Sequence, residues 1–309
     1  MRKGVKPKLP RNRAAIATER RHPRSRALHR LSAAAIVRLI NRADRAVPVA
    51  VGRAAGALSA FIEDAESGFL AGGRIIYIGA GTSGRLGVLD AAEAPPTFQV
   101  PPGRIIGLIA GGARALRRSS EGLEDDPAGA QRALERLRLS ARDSLLGIAA
   151  GGTTPYVLGA LLYAARLVPG INTGLMTCTP LAKPPGARHL IVLPTGPEVL
   201  TGSTRMKAGS ATKMALNIVS TTLMVRAGRV YENLMVDLSA RNDKLRDRAA
   251  RIITLLTGIS RPRAFRLLAR AGGVVKTAVV MQRLGLSRPR AQTLLARHAG
   301  RLDLALGEK

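Results

Sequence analysis

Carboxylates that could move protons occur in two groups in the first half of this 309-residue chain. Asp90 and Glu93 follow a glycine-rich run at residues 79–84, and the second group lies further along. The chain has only 20 acidic residues, so this clustering is informative. Two carboxylates beside one substrate can act as general acid and general base, each worth about 10²–10⁴-fold in rate. The second group consists of Glu121, Glu124, Asp125 and Asp126.

Prolines next to both groups predict where the neighbouring helices begin and end. The helix that carries the first group is predicted to end at Pro95-Pro96, because proline lacks the amide that a helix interior needs. Asp125 and Asp126 directly precede Pro127, and an acidic residue before proline is typical of a helix N-terminus. Capping is therefore the commoner explanation for these two aspartates.

The glycine-rich run at residues 79–84 is the first of three loops that could bind a ligand. It formally matches the G-x-G-x-x-G pattern of dinucleotide sites, but no acidic residue follows the next predicted strand to hold a ribose hydroxyl. Gly81, Thr82 and Ser83 favour a different use, in which hydroxyls and free helix N–H groups bind a phosphate or a sugar. The alternative is that the glycines only permit a tight turn.

The other two loops also precede predicted helices. Residues 151–155 read GGTTP, in which Thr154 is a typical N-cap before proline and needs no ligand on that account. In residues 198–209, two adjacent hydroxyls, an arginine and a lysine lie at a helix N-terminus, where the dipole disfavours each cation by about 0.3–1 kcal/mol. This pattern predicts a neutralising anion, although a solvated basic surface explains it as well. The candidates in this third loop are Glu198, Ser203, Thr204 and Lys207.

Short apolar runs rich in β-branched residues alternate with helical patterns before residue 203. The alternation predicts right-handed βαβ units and a doubly wound, mostly parallel α/β sheet of about five strands with flanking helices. Such sheets bind ligands at the carboxyl ends of their strands, where the three loops lie. The predicted strands are 74–78, 104–110, 144–150, 173–178 and 189–193. The predicted helices are 32–41, 48–70, 86–92, 127–139, 155–167, 205–226 and 239–256, followed by short helices as far as residue 306.

The composition excludes several classes of protein. One cysteine, Cys178, and four scattered histidines exclude a disulfide framework and a cysteine- or histidine-rich metal site, so we expect no metal. The longest uncharged stretch, residues 144–165, is interrupted by glycines, and no segment predicts a membrane span or a secretory signal. We expect a cytoplasmic protein that does not bind membranes.

The net charge of +29 arises mainly from arginine, which supplies 40 of the 49 basic residues. Basic surfaces can bind nucleic-acid phosphates. However, the chain has only four Phe, four Tyr and no Trp, so few side chains could stack on bases. We attribute the charge to arginine on solvated surfaces and expect no specific nucleic-acid binding.

Six motifs follow one another in an order that resembles a known family. Together they resemble the bacterial N-acetylmuramic acid 6-phosphate etherases, which have the sugar isomerase (SIS) fold, and the likeness extends from Thr18 to the C-terminus. The motifs are GAGTSGRLGVLDAAEAPPTF at 79–98, GLIAGG at 107–112, EGLEDD at 121–126, GIAAGGTTPYV at 147–157, EVLTGSTRMKAG at 198–209 and NLMVDL at 233–238.

The resemblance implies a homodimeric lyase of amino sugar catabolism in cell-wall recycling. It would cleave the D-lactyl ether of N-acetylmuramic acid 6-phosphate by elimination and hydration, giving N-acetylglucosamine 6-phosphate and D-lactate, with no metal or organic cofactor. Glu93 matches the family's proton donor, and Glu124 matches its partner, which we expect to handle the C2 proton. Both are expected in a partly desolvated cleft, since an acid must keep its proton near neutral pH.

The second loop departs from the family pattern. Hydroxyls of this loop bind the sugar phosphate in SIS proteins, which implies roles for Gly152 and Thr154, but Gly151 stands where the family usually has serine. A hydrogen bond to a charged group is worth about 1.5–3 kcal/mol, so phosphate affinity is expected to fall unless other hydroxyls compensate. Those hydroxyls are Thr153, Thr82, Ser83, Ser203 and Thr204.

A sugar-phosphate-sensing regulator of the same fold is the main alternative to the enzyme. Retention of both Glu93 and Glu124 favours the enzyme, because a sensor needs neither. We divide the chain into a basic tail at 1–17, expected to be disordered, an SIS-type domain at 18–258 with N-terminal helices, and a helical region at 259–309.

Overall fold

A sheet of five parallel strands lies at the centre of the molecule. The computed structural model describes residues 12–118, 121–238 and 242–308, and the side chain of residue 121 is not described. Each strand begins and ends within two residues of its predicted bounds, and the predicted fold class is confirmed. The strands are β1 (Ile75–Gly79), β2 (Ile105–Ile109), β3 (Ser144–Ile148), β4 (Asn172–Thr177) and β5 (His189–Val192).

In the strand order β2-β1-β3-β4-β5, the direction in which successive strands are added to the sheet reverses between β1 and β3. After β1 the chain crosses to β2 on one side, and after β3 it crosses to β4 on the other. The loops that follow β1 and β3 therefore separate and leave a crevice at the carboxyl ends of the two strands.

Helices cover both faces of the sheet, and alternate strand residues point into the two layers. Tyr77 of β1 packs in one core, with the two helices that precede β1 and the helices that follow β1 and β5. Ile76 and Ile78 pack on the opposite face, in the core that contains the helices before and after β3. The helices up to this point are α1 (Ala33–Asp44), α2 (Ala46–Arg53), α3 (Ala55–Leu70), α4 (Gly81–Phe98), α5 (Gln131–Leu137), α6 (Pro155–Leu167) and α7 (Lys207–Arg226).

The first helices differ from the prediction in their bounds. Ser32 accepts a hydrogen bond from the Ala35 amide and caps α1 as predicted. The single helix predicted over 48–70 is instead two helices, α2 and α3, which meet at Ala54. Among the described residues no single helix is long and apolar enough to cross a membrane, while the pair 33–53 and 55–70, bent by 50°, passes that test by length and composition only.

The prediction that a helix ends at Pro95-Pro96 is wrong. Helix α4 begins at Gly81 and continues through both prolines to Phe98. The prolines lie in its last turn, where neither ring nitrogen can donate to the carbonyl four residues earlier, so the helix loses two backbone hydrogen bonds. Ala94 and Phe98 of that turn are buried in the core, and this burial offsets the strain of the prolines.

The helix predicted to begin at Pro127 is also wrong in its bounds. Helix α5 begins only at Gln131, and Ala130 occupies its N-cap position. Asp126 instead accepts a hydrogen bond from the Ala128 amide at 2.8 Å, which stabilises a turn. The predicted capping of a helix by Asp125 and Asp126 is therefore not observed.

The C-terminal helices form a second hydrophobic core, which confirms the predicted helical region. This core includes residues from Tyr231 to Ala305, and α8 packs in it with the helices that follow. The boundaries proposed at 17 and 258 stay predictions. The helices are α8 (Asp243–Thr257), α9 (Arg261–Arg270), α10 (Val275–Leu284), α11 (Arg288–Arg297) and α12 (Leu302–Ala305).

A buried lysine joins this second core to the end of α7. Lys276 is 5% exposed and its Nζ donates to three oxygens, those of the Gly228 and Gly300 carbonyls at 2.8 and 2.6 Å and Asp237 Oδ2 at 2.8 Å. Arg229 shares the same carboxylate oxygen at 2.9 Å. The ammonium therefore has a partner for each of its three N–H groups, which explains how the charge is buried.

Candidate functional site

The three loops predicted to bind a ligand meet at the carboxyl ends of β1 and β3. The Thr82 methyl group lies 3.6 Å from the point where a Cβ of Gly209 would stand, so α4 and α7 begin close together. Cys178 joins the second loop to α7, because its amide donates to the Ala150 carbonyl at 2.9 Å and its Sγ lies 3.7 Å from the Ala208 carbonyl. The structure thus brings the predicted loops together as one crevice.

The first loop is a tight turn that leads directly into α4. A Cβ on Gly84 would lie 2.6 Å from an Ile109 side-chain carbon and 2.7 Å from the Gly79 carbonyl oxygen, so only glycine fits there. Thr82 and Ser83 lie in the first turn of α4 and are half-buried. The first-turn amides of a helix have no intrahelical partners, and they are suited to an anion. The tight turn is confirmed, and a ligand there stays a prediction.

The second loop leads into α6, which begins at Pro155 as predicted. Thr154 occupies the N-cap position, but its side chain makes no capping hydrogen bond, so the capping role expected for its hydroxyl is wrong. Gly152 has φ of +73°, a conformation that strains residues with a Cβ, and a Cβ on it would also meet the Leu181 side chain, so glycine is favoured there. Thr154 keeps its hydroxyl for another partner at the N-terminus of α6.

In the third loop the chain itself supplies the anion that the sequence predicted. Glu198 is 0% exposed and its two carboxylate oxygens accept the amides of Lys207 and Ala208 at 3.1 and 2.8 Å. Lys207 is buried as well, and its Nζ donates to the Thr195 carbonyl at 2.8 Å. A solvated basic surface is thus the wrong description of Lys207. Ser203 and Thr204 are half-buried in the same loop.

Burial shifts the ionisation of this pair. Desolvation raises the pKa of Glu198, and the two backbone amides and the nearby Lys207 charge oppose that shift. Desolvation likewise lowers the pKa of Lys207, with Glu198 opposing it. A carboxylate on the first-turn amides also complements the positive end of the α7 dipole. Glu198 therefore stabilises the N-terminus of α7, and Lys207 links that N-terminus to the Thr195 carbonyl.

Lys213 of α7 contacts both carboxylates of the first group, Asp90 and Glu93, and the sequence did not predict this lysine as a site residue. Its Nζ lies 3.2 Å from Glu93 Oε2 and 3.5 Å from Asp90 Oδ1. Asp90 is 4% exposed, and Ser220 Oγ lies 3.3 Å from the same Oδ1. Burial raises the pKa of Asp90, while Lys213 and Ser220 oppose that shift. A lysine inside a helix whose neighbouring positions are largely apolar was the signal that could have revealed this partner.

The surroundings of Glu93 differ from the desolvated cleft that was expected. Its side chain is 59% exposed in the single chain, whereas the Asp90 side chain, one turn earlier on α4, is 5% exposed. The difference arises because Asp90 faces α7, while Glu93 lies at the edge of the contact between the two helices. Glu93 is thus held by Lys213 and is open to solvent in the single chain.

The second group of carboxylates is attached to the second loop. Glu124 is half-buried, and its backbone carbonyl accepts the amide of Tyr156 in the first turn of α6 at 3.0 Å. Asp125 and Asp126 are exposed. The predicted candidate Glu121 has its side chain outside the described residues. The structure therefore places Glu93 on the helix of the first loop and Glu124 beside the helix of the second.

An N-terminal segment covers part of the crevice, which the sequence reasoning did not anticipate. Thr18 is buried beside the second loop. Glu19 Oε2 lies 3.2 Å from the point where a Cβ of Gly202 would stand, in the third loop. Burial lowers the pKa of His22, and the Lys207 charge adds to that shift. Residues 16–22 therefore contact both the second and the third loop.

Metal-binding residues are not grouped in the part of the chain that the structure describes. Within residues 12–118, 121–238 and 242–308, no three or more His, Cys, Asp or Glu side chains are placed to hold one ion. The expected absence of a metal stays a prediction.

Comparison with known proteins shows extensive similarity. The N-acetylmuramic acid 6-phosphate etherase of Gloeobacter violaceus is 50% identical over 275 residues, which cover 89% of each chain. That of Parasynechococcus marenigrum is 51% identical over 271 residues, covering 87% of this chain and 85% of the relative. Residues 53–165 match the family model of the glucokinase regulatory protein N-terminal SIS domain. A solved protein of E. coli CFT073 matches 66% of this chain and 97% of that one, with 15% identity and a TM-score of 0.46.

Proposed function

This chain belongs to the N-acetylmuramic acid 6-phosphate etherase family, and from that membership we propose its reaction and the residues that perform it. The chain is a carbon–oxygen lyase that cleaves the D-lactyl ether of N-acetylmuramic acid 6-phosphate, giving N-acetylglucosamine 6-phosphate and D-lactate. The observation that supports this assignment in the molecule is that both glutamates of the family motifs are present and lie on elements next to the glycine loops. Glu93 lies on the helix that follows the first loop, and Glu124 lies beside the helix that follows the second.

The chemistry is an elimination followed by a hydration. In the open-chain sugar, the aldehyde acidifies the C2 proton, which Glu124 removes as general base. The C3–O bond breaks as Glu93 protonates the departing lactate oxygen, and a C2–C3 double bond forms. Water then adds at C3 while a proton returns to C2. Each proton transfer by a positioned side chain contributes about 10²–10⁴-fold.

We assign different roles in substrate binding to the three loops. Phosphate oxygens would accept the first-turn amides of α4 and α6, where helix dipoles favour negative charge. At the N-terminus of α7, Glu198 accepts two backbone amides and Lys207 donates to the Thr195 carbonyl, so we assign both residues a structural role in holding the third loop. The hydroxyls and loop residues that we assign to the substrate are Gly81, Thr82, Ser83, Gly152, Thr154, Ser203 and Thr204.

A second copy of the chain would complete the surroundings of Glu93. An exposed acid exchanges its proton with water, so the chemistry is better served when that region is covered. Leu89, one turn before Glu93, is 44% exposed, and Met214, next to Lys213 on α7, is 36% exposed. We therefore place the interface of a cytoplasmic homodimer on this apolar surface of α4 and α7.

The test is release of D-lactate from N-acetylmuramic acid 6-phosphate by the wild-type chain and by Glu93→Gln and Glu124→Gln. We expect release by the wild type and a fall of about 10²–10⁴-fold in kcat for each variant, with unchanged urea unfolding. The matched controls are Glu63→Gln on the exposed face of α3 and Asp125→Asn, both outside the proposed chemistry. Turnover near the wild-type value in Glu93→Gln or Glu124→Gln would remove that residue from the mechanism.

The same assay separates the enzyme from a sugar-phosphate sensor. A sensor is suggested by the match of residues 53–165 to a regulatory SIS domain. Binding of N-acetylglucosamine 6-phosphate without any release of D-lactate from the substrate would favour the sensor.

A further inference from the structure

A buried hydroxyl faces the second loop without a hydrogen-bond partner. Thr18 is 0% exposed, and its Oγ1 has no partner in the part of the chain that the structure describes. The same oxygen lies 3.9 Å from the point where a Cβ of Gly151 would stand. A buried hydroxyl without a partner destabilises the folded chain, so its presence beside a ligand-binding loop requires an explanation.

Gly151 leaves room for a side-chain atom next to this hydroxyl. A Cβ at this position would lie 3.7 Å from Ile16 Cγ2 and 3.9 Å from Thr153 Oγ1, which are ordinary van der Waals distances. The space is therefore bounded by the hydroxyls of Thr18 and Thr153 and by a methyl group. It adjoins the first turn of the 13-residue helix α6, where the dipole and free amides favour negative charge.

These surroundings suit one oxygen atom of a bound anion. Both hydroxyls can donate a hydrogen bond, and a phosphate oxygen accepts several. Thr18 differs from Thr153 in being fully buried, whereas Thr153 is exposed and has water as an alternative partner. The Thr18 hydroxyl therefore gains more from a bound oxygen than the Thr153 hydroxyl does.

The position of Thr18 is fixed by the segment around it. The Glu19 amide donates to the Ile16 carbonyl at 3.0 Å, which closes a short helical turn around Thr18. Glu19 and His22 then extend the contact to the third loop, as described above. The Thr18 hydroxyl therefore lies on a hydrogen-bonded turn beside the crevice.

We propose that Thr18 is a substrate-binding residue whose hydroxyl donates to a phosphate oxygen of the sugar phosphate. It supplies the contact that a side chain at residue 151 would otherwise provide. The ligand class is the phosphate monoester of a hexose. This inference rests on the proposed function, since it takes the crevice as the sugar-phosphate site.

The test uses Thr18→Val, which keeps the shape of the side chain and removes the hydroxyl. Calorimetry measures the Kd of N-acetylglucosamine 6-phosphate, with unphosphorylated N-acetylglucosamine as the comparison ligand. We expect Thr18→Val to weaken binding of the phosphorylated ligand roughly ten- to a hundredfold, the value of one hydrogen bond to a charged group. Thr18→Ser should recover most of that affinity, because it restores the hydroxyl.

The urea unfolding midpoint distinguishes a binding role from a structural one. Removing an unpartnered buried hydroxyl should leave the midpoint of the ligand-free chain unchanged or raise it. Thr254→Val in α8 is the matched control, since its hydroxyl is also buried without a partner among the described residues but lies in the second core. It should leave the Kd unchanged. Adding Gly151→Ser to Thr18→Val should restore part of the lost affinity.

Three results would overturn the inference: an unchanged Kd in Thr18→Val, a loss of affinity that parallels a loss of stability, or equal weakening of both ligands. The proposed function fails separately. If the wild type binds N-acetylglucosamine 6-phosphate but releases no D-lactate, the etherase activity is wrong while the role of Thr18 in binding is still measured. If D-lactate is released and Thr18→Val binds like the wild type, only the role of Thr18 is wrong.

Discussion

The first turn of α7 and the middle of the same helix each hold a carboxylate close to a lysine, in opposite surroundings. At the first turn, Glu198 is 0% exposed, and both of its carboxylate oxygens accept backbone amides. In the middle, Lys213 lies between the buried Asp90 and Glu93, whose side chain is 59% exposed. Both oxygens of the Glu198 carboxylate are hydrogen-bonded within the chain, whereas the Glu93 carboxylate is exposed to solvent.

This difference indicates a structural role for the Glu198 carboxylate and a catalytic role for the Glu93 carboxylate. Each hydrogen bond to Glu198 satisfies a helix amide that would otherwise be buried without a partner, so the carboxylate contributes to folding. Glu93 has one long, flexible partner and solvent access, which leaves it free to exchange a proton with a ligand. Both were predicted as site residues, Glu93 as a catalytic acid and Glu198 as a binding residue of the third loop, and their contacts now distinguish them.

The largest effect on stability is expected for Glu198→Ala. The substitution leaves two buried amides without acceptors, each at a cost of about 1–3 kcal/mol in the free energy of unfolding. Urea denaturation measures this loss. Glu198→Gln should lose less stability, because its amide oxygen still accepts one hydrogen bond. Glu63→Ala, on the exposed face of α3, is the control. A loss for Glu198→Ala no larger than that of the control would contradict a structural role for this carboxylate.

A smaller effect is expected for Lys213→Met, which keeps the side chain's length and removes its charge. The buried Asp90 loses its cation, which should cost about 1–3 kcal/mol in unfolding free energy at pH 7. The same change removes the cation that positions the Glu93 side chain. We therefore expect kcat to fall as well, roughly ten- to a hundredfold. Lys244→Met, on the exposed surface of α8, is the control for both measurements. If stability falls while kcat is unchanged, Lys213 supports Asp90 alone.

The smallest effect is the pH dependence contributed by Asp90. Burial raises its pKa above the ordinary 3.8 in the folded chain. Its protonated form is therefore favoured by folding, and this contribution is complete below the ordinary pKa and is lost as the pH rises through the folded value. Asp90→Asn does not titrate, so its unfolding free energy relative to the wild type should increase from about pH 4 upward.

Urea denaturation across that pH range, with the exposed Asp125→Asn as control, measures the contribution. A difference that decreases with rising pH would mean that Lys213 outweighs burial and lowers the pKa of Asp90. The two regions of α7 would then resemble each other more closely than their exposure indicates.

The sequence predicted the five strands and the three loops closely because these features are local. A run of β-branched residues ending in glycine predicts a buried strand and a turn without knowledge of its neighbours. The helix starts at Ser32 and Pro155 were predicted for the same reason. The extension of α4 past Pro95 was not, since it depends on the burial of Phe98 against residues distant in the chain.

The sequence by itself determined which residues could do chemistry, namely the glutamates after the glycine loops and the hydroxyls at helix starts. It also determined that a hydroxyl is missing at Gly151. Tertiary structure alone decided how each is used. In the folded chain, Glu198 accepts hydrogen bonds from two amides of α7, Lys213 lies between Asp90 and Glu93, and Thr18 lies next to Gly151. The physical reason is that burial and charge pairing depend on segments distant in sequence, whereas periodicity and turn chemistry depend on neighbouring residues.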